Sequence, residues 1–145
     1  MLNKKVWYWV CAVISGALWA EIALSFGAGA PASSGFISMS ATLSCGVITG
    51  LLISALFRQA FLRASKGMWW LLPIATLVTS ILIFSITTWI ASYLWSFSSH
   101  QLFMSLGSII AFYIVGGLMS ICTPLFYGLA LANQFVMRVL LKRAA

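Results

Sequence analysis

Four long runs of apolar residues constrain the fold of this sequence more than any other feature. They cover residues 6–26, 36–57, 69–95 and 102–127, and each can cross a bilayer core of about 30 Å as a helix. Because lipid offers backbone groups no hydrogen-bond partner, such runs form helices or a closed barrel. They lack the alternation of barrel strands. We therefore predict an all-α integral membrane protein, a four-transmembrane-helix bundle in a single domain, 1–145.

The basic residues predict the orientation of this bundle. They precede the first run, lie between the second and third runs, or follow the fourth run, at Lys4, Lys5, Arg58, Arg63, Lys66, Arg138, Lys142 and Arg143. Lys and Arg near helix ends are retained in the cytoplasm, and the two opposite loops contain neither residue. We expect both termini to be cytoplasmic (N-in/C-in) in a multi-pass protein of the bacterial inner membrane.

The segment after the fourth run has a different character. Residues 128–145 are amphipathic, with Gln134, Arg138 and Lys142 recurring every four residues. This pattern predicts a basic amphipathic cytoplasmic tail that either extends helix four or lies on the membrane surface. If helix four continued past Pro124, the proline would remove a helical hydrogen bond and act as a hinge.

Glu21 is the only acidic residue in the chain, and it lies in the outer part of helix one. An ionisable group inside a span is costly, so it normally faces a bundle interior, a water-filled cavity or a partner. Helical spacing places Ala17 and Ser25 beside it. Three interpretations remain open: a proton or cation site for transport, a structural carboxyl, or a side chain that reaches the outer surface or a partner's cation.

A short stretch around Glu21 resembles a known transporter family. Residues 16–22, with the sequence GALWAEI, resemble the first helix of the small multidrug resistance transporters, which are also four-helix proteins with one membrane Glu in helix one. The resemblance covers seven of the 145 residues. Those transporters are shorter, and many have too little charge bias to fix one orientation, whereas this chain has a strong bias. The resemblance implies a similar carboxyl and not family membership.

Small residues at four-residue spacing would let neighbouring helices approach closely. Gly16 lies on helix one, and Gly46 and Gly50 form a GxxxG pattern on helix two. Gly116 and Ser120 show the same spacing on helix four. These residues predict helix packing within the bundle, or alternatively an interface in a homo-oligomer or with another membrane subunit.

The basic segments on the cytoplasmic side would attract anionic lipids, at about 1 kcal/mol per charge near the surface. The residues concerned are Arg58, Arg63, Lys66, Arg138, Lys142 and Arg143. An acidic cytoplasmic partner is an alternative ligand for them. We do not expect nucleic acid, because the charges are divided among short segments between apolar runs.

Catalysis is not expected, because the sequence lacks the nucleophile, base and metal constellations that an active site needs. Three scattered cysteines, one His and one acidic residue predict no metal site, and we expect no cofactor. We expect a small polytopic protein that is a non-catalytic, membrane-embedded interaction or assembly subunit, such as an anchor, immunity or defence-type component, and is oligomeric. The alternative is a minimal proton- or cation-coupled transporter or channel that uses Glu21.

Overall fold

The protein is helical throughout the part of the chain that the structure describes. The computed structural model describes residues 4–26, 39–65, 67–99 and 123–144, together with positions 107, 111 and 115. The helices are α1 (Lys4–Phe26), α2 (Met39–Leu56), α3 (Arg58–Arg63), α4 (Met68–Ser99) and α5 (Pro124–Ala144). The predicted all-helical fold is confirmed for these residues.

Three of these helices are long and apolar enough to cross a membrane. They are α2, α4 and α5, over Met39–Leu56, Met68–Leu94 and Pro124–Arg143, and α1 contains a shorter apolar stretch, Val6–Ile22. A helix bonds its backbone groups internally, as a lipid environment requires. These are the features of a helical membrane protein.

The helix boundaries differ from the predicted runs mainly towards the C-terminus. α1, α2 and α4 begin and end within four residues of the predicted limits. The run predicted over 102–127 lies mostly outside the described residues, and its last part belongs to α5, which starts at Pro124. Proline suits a first helical turn because it has no N–H and its φ is fixed. The residues predicted as a tail, 128–144, continue this same helix.

The buried core lies at one end of the bundle, where four of the helices meet. Its members are Tyr8, Ala12, Phe61, Ala64, Leu72, Met137 and Leu141. The remaining helix, α2, is tied to the same place, because the Tyr8 hydroxyl donates a hydrogen bond of 2.5 Å to the Ser54 carbonyl. One end of the bundle therefore brings together the start of α1, the end of α2, all of α3, the start of α4 and the end of α5.

α1 and α5 run antiparallel to each other. Tyr8 and Met137 share the core, and farther along the pair the rings of Trp19 and Phe126 lie 6.1 Å apart. Residues 8 to 19 and 126 to 137 each span about 16 Å of helix, at 1.5 Å per residue. The two helices therefore stay side by side over at least this length.

Candidate functional site

The structure brings together three of the predicted packing residues, Gly16, Gly46 and Gly50, where α1 crosses α2. A Cβ atom added to Gly50 would lie 2.5 Å from the carbonyl oxygen of Ala12 and 2.8 Å from the Cα of Gly16. A Cβ atom added to Gly46 would overlap the Cβ of Ala20. Small residues are required here because the two backbones are in contact. These contacts lie within the chain.

Glu21 lies on a different face of α1 from this glycine contact. Its side chain is half-buried, and so is that of Ala17. Residues separated by three and seven positions share a helix face, so Glu21 lies with Leu18 and Ile14. Those two side chains are 51% and 57% exposed. The carboxyl is therefore on the side of α1 that faces away from α2.

The hydroxyl groups of α4 bond to α4 itself. Thr76 Oγ1 donates to the carbonyl of Pro73 at 2.9 Å, and Thr79 Oγ1 donates to the carbonyl of Ala75 at 2.8 Å. The same bonding to the preceding turn is made by Ser80, Ser85, Thr87 and Thr88. Such bonds satisfy a hydroxyl within its own helix. These six hydroxyls therefore use their donor hydrogens within α4.

The predicted lipid-contact residues differ in how they are held. The exposed ones are Arg58, Arg63, Lys142 and Arg143. Arg138 is half-buried instead, and its Cζ lies 4.7 Å from the centre of the Trp69 ring. A guanidinium stacked on an indole ring is attracted to it by about 0.5–2 kcal/mol, depending on its exposure to water. Arg138 is therefore held against a neighbouring helix, whereas the four exposed cations extend from the surface.

Trp69, Gln134 and Arg138 form a polar group between α4 and α5, called the Trp69 cluster below. Gln134 is only 1% exposed, and its Nε2 donates to the Trp69 carbonyl at 3.3 Å. The Oε1 of Gln134 and the Nε of Arg138 are buried without a hydrogen-bond partner among the described residues. Periodicity placed Gln134 and Arg138 on one face but missed Trp69, because a contact between two distant helices leaves no signal in the sequence.

Several predicted site residues cannot be placed in this geometry. The Ser25 side chain, Lys66, Gly116 and Ser120 lie outside the described residues. Pro124 is exposed at the start of α5, and the Thr123 carbonyl before it accepts a hydrogen bond of 3.1 Å from the Phe126 N–H. Pro124 thus begins a helix. Residues 116–122 before it lie outside the described part of the chain, so the hinge stays a prediction.

The chemistry of the Trp69 cluster is limited to hydrogen bonding and charge. A guanidinium stays protonated in proteins, so it binds anions and does not act as an acid or base. The described parts of the chain hold no group of three His, Cys, Asp or Glu side chains that could bind a metal ion. Comparisons of the chain with protein families, with curated proteins and with solved structures found no match.

Proposed function

We propose that the chain is a non-catalytic subunit of a membrane protein complex, and that the outer part of α1 binds the partner protein within the bilayer. One observation carries this proposal: Glu21 lies on the exposed face of α1, together with Ile14 and Leu18. A carboxyl on such a face is costly in lipid and is stabilised by a cation or hydrogen-bond donor. The partner then supplies that group at the depth of Glu21.

The described basic residues of α3 are poorly placed to supply this cation. α3 carries Arg58 and Arg63, and its Phe61 packs with Tyr8 in the core. Glu21 is thirteen positions beyond Tyr8 on α1, about 20 Å along the helix. This distance supports a partner protein as the source of the positive charge.

The second candidate is a proton- or cation-coupled transporter or channel that uses Glu21. A transport carboxyl lines a cavity with polar groups from several helices or copies. The hydroxyls of α4 bond to their own helix, and Glu21 lies on an exposed face of α1. These observations favour the subunit function. Transport would require several copies of the chain to form a polar cavity around Glu21.

We also propose four membrane crossings with both termini in the cytoplasm, in a bacterial inner membrane. Basic residues begin α1, lie on α3 and end α5, and the core packs these segments at one end of the bundle. A single positively charged end is what cytoplasmic retention of Lys and Arg produces. Because Phe126 lies beside Trp19 and Met137 lies beside Tyr8, we assign α5 to the fourth crossing, with its C-terminal end in the cytoplasm.

Affinity purification of the full-length chain in mild detergent tests the subunit proposal. Glu21→Gln and Leu18→Trp alter the proposed face, and Ile86→Trp alters an exposed apolar position on α4 as a matched control. We expect the two α1 variants to retain about tenfold less of a stoichiometric partner, equivalent to about 1.4 kcal/mol of binding free energy. The Ile86→Trp variant should retain the wild-type amount.

Two results would contradict this proposal. Equal partner retention by wild type, Glu21→Gln and Leu18→Trp would exclude this face of α1 as the binding surface. Alternatively, the purified protein could be a homo-oligomer alone, with a pH-dependent ion flux in liposomes that Glu21→Gln abolishes. That outcome would establish the transport function in place of the subunit function.

A further inference from the structure

We propose that the Trp69 cluster binds the phosphate group of one anionic lipid in the cytoplasmic leaflet, and that Arg138 is the residue that contacts the phosphate. This site is separate from the Glu21 face and does not require a partner protein. Exposed basic residues attract anionic lipids in general, without a defined position. The fixed guanidinium of Arg138 would instead bind a single lipid at a defined position. Four observations support it.

Arg138 has no counter-charge among the side chains of its own chain. Glu21 is the only acidic residue, and it lies about 20 Å along α1 from Tyr8. Arg138 directly follows Met137, which packs with Tyr8 in the core. A guanidinium cannot lose its proton at physiological pH. The anion that balances it therefore comes from outside the side chains of this protein.

The Arg138 side chain is also held in place before any ligand binds. Its Cζ lies 4.7 Å from the centre of the Trp69 ring. Gln134, one turn earlier on α5, donates to the Trp69 carbonyl, and the Tyr127 hydroxyl donates to the Trp70 carbonyl at 2.9 Å. These bonds fix α5 against the start of α4. A side chain that is already fixed loses less conformational entropy when it binds.

The hydrogen-bond donors and the acceptor that the cluster leaves unsatisfied match the chemistry of a lipid headgroup. The guanidinium offers a planar fork of N–H donors, which matches two phosphate oxygens. Gln134 Oε1 is a buried acceptor without a partner among the described residues, and such a group is costly unless a donor reaches it. The hydroxyl of a headgroup such as glycerol, or a water bound with it, would supply that donor.

The surroundings favour a lipid over a free phosphate ion. Next to the cluster in sequence, Trp70, Leu71 and Phe135 are large apolar side chains that are exposed. Trp69 and Trp70 begin a membrane helix, the depth at which tryptophan meets lipid headgroups. Acyl chains would cover the apolar side chains while the phosphate reaches Arg138. We therefore name an anionic phospholipid as the occupant.

Native mass spectrometry of the full-length protein in detergent, with added phosphatidylglycerol, tests this site. Arg143→Gln is the matched control for Arg138→Gln, because it removes the same charge from an exposed position of α5. We expect Arg138→Gln to weaken binding of the first lipid about tenfold and Arg143→Gln to change it less than about twofold, where tenfold corresponds to about 1.4 kcal/mol. Phosphatidylcholine should bind weakly to all forms.

Arg138→Lys provides the second variant in case Arg138→Gln fails to fold. It keeps the positive charge but loses the planar fork and the stacking on Trp69, so we expect a loss of affinity close to that of Arg138→Gln. Equal, small losses in Arg138→Lys and Arg143→Gln would show diffuse attraction and overturn the proposal. Displacement of the lipid by inorganic phosphate at the same concentration would overturn the assignment to a lipid.

Discussion

Gly50 of α2 lies where the backbones of two helices touch. An added Cβ atom would meet the Ala12 carbonyl oxygen at 2.5 Å, so a side chain has no room there. The GxxxG spacing of Gly46 and Gly50 is visible in the sequence, and in the structure both glycines lie against α1. Which helix they contact could not be predicted, because several helices carry small residues at the same spacing.

Gly50→Ala tests this contact at the level of one methyl group. The new Cβ atom must push α1 and α2 apart, and we expect the free energy of unfolding to fall by about 1–3 kcal/mol. Gly128→Ala on α5 is the control, since an added Cβ atom there meets nothing within 4 Å. Unfolding in a titration of denaturing detergent, followed by circular dichroism, measures both. Equal stability of the two variants would contradict the close contact.

α5 is the element for which the sequence was least informative. Its polar face was visible from periodicity, but Gln134 and Arg138 lower the hydropathy of the segment, which therefore read as a tail. In the structure Gln134 is buried and bonded to the Trp69 carbonyl, which offsets part of the cost of burying a polar group. Hydropathy cannot detect this compensation, because it depends on a residue of another helix.

Met137→Ala tests whether α5 is packed into the bundle. Met137 is 1% exposed in the core beside Tyr8, and truncation of such a side chain leaves a cavity that costs about 2–5 kcal/mol. We expect a lower thermal unfolding midpoint and faster proteolysis of α5. Val136→Ala is the control on the same helix, because Val136 is exposed. Similar effects of both substitutions would argue that α5 is not docked against α1.

At the scale of the whole molecule, the charges of the chain are separated between its two ends. Basic residues of α1, α3 and α5 lie near the buried core, and Glu21 lies far from them along α1. This asymmetry could be predicted from the sequence, because the sequence shows directly where Lys and Arg lie relative to the apolar runs. The Trp69 cluster could not be predicted, because it depends on how α4 and α5 cross.

Thiol labelling tests the orientation that we propose. In a variant without the natural cysteines, Ser65→Cys in the segment between α3 and α4 should react with a membrane-impermeant reagent only from the cytoplasmic side. Ser99→Cys at the end of α4 should react only from the opposite side. Reaction of both residues from the same side would contradict an N-in/C-in bundle in which α4 crosses the membrane.

The contact between Gly16 and Gly50 also bears on the order in which the helices assemble. Both glycines lie within the first 50 residues of the chain, so the ribosome completes this pair before it makes α4 or α5. Backbone contact between α1 and α2 at these glycines uses no side chain from the later helices. Domains and their parts generally fold in the order of synthesis. The first two helices can thus associate as a hairpin during insertion, and α4 and α5 then dock onto it.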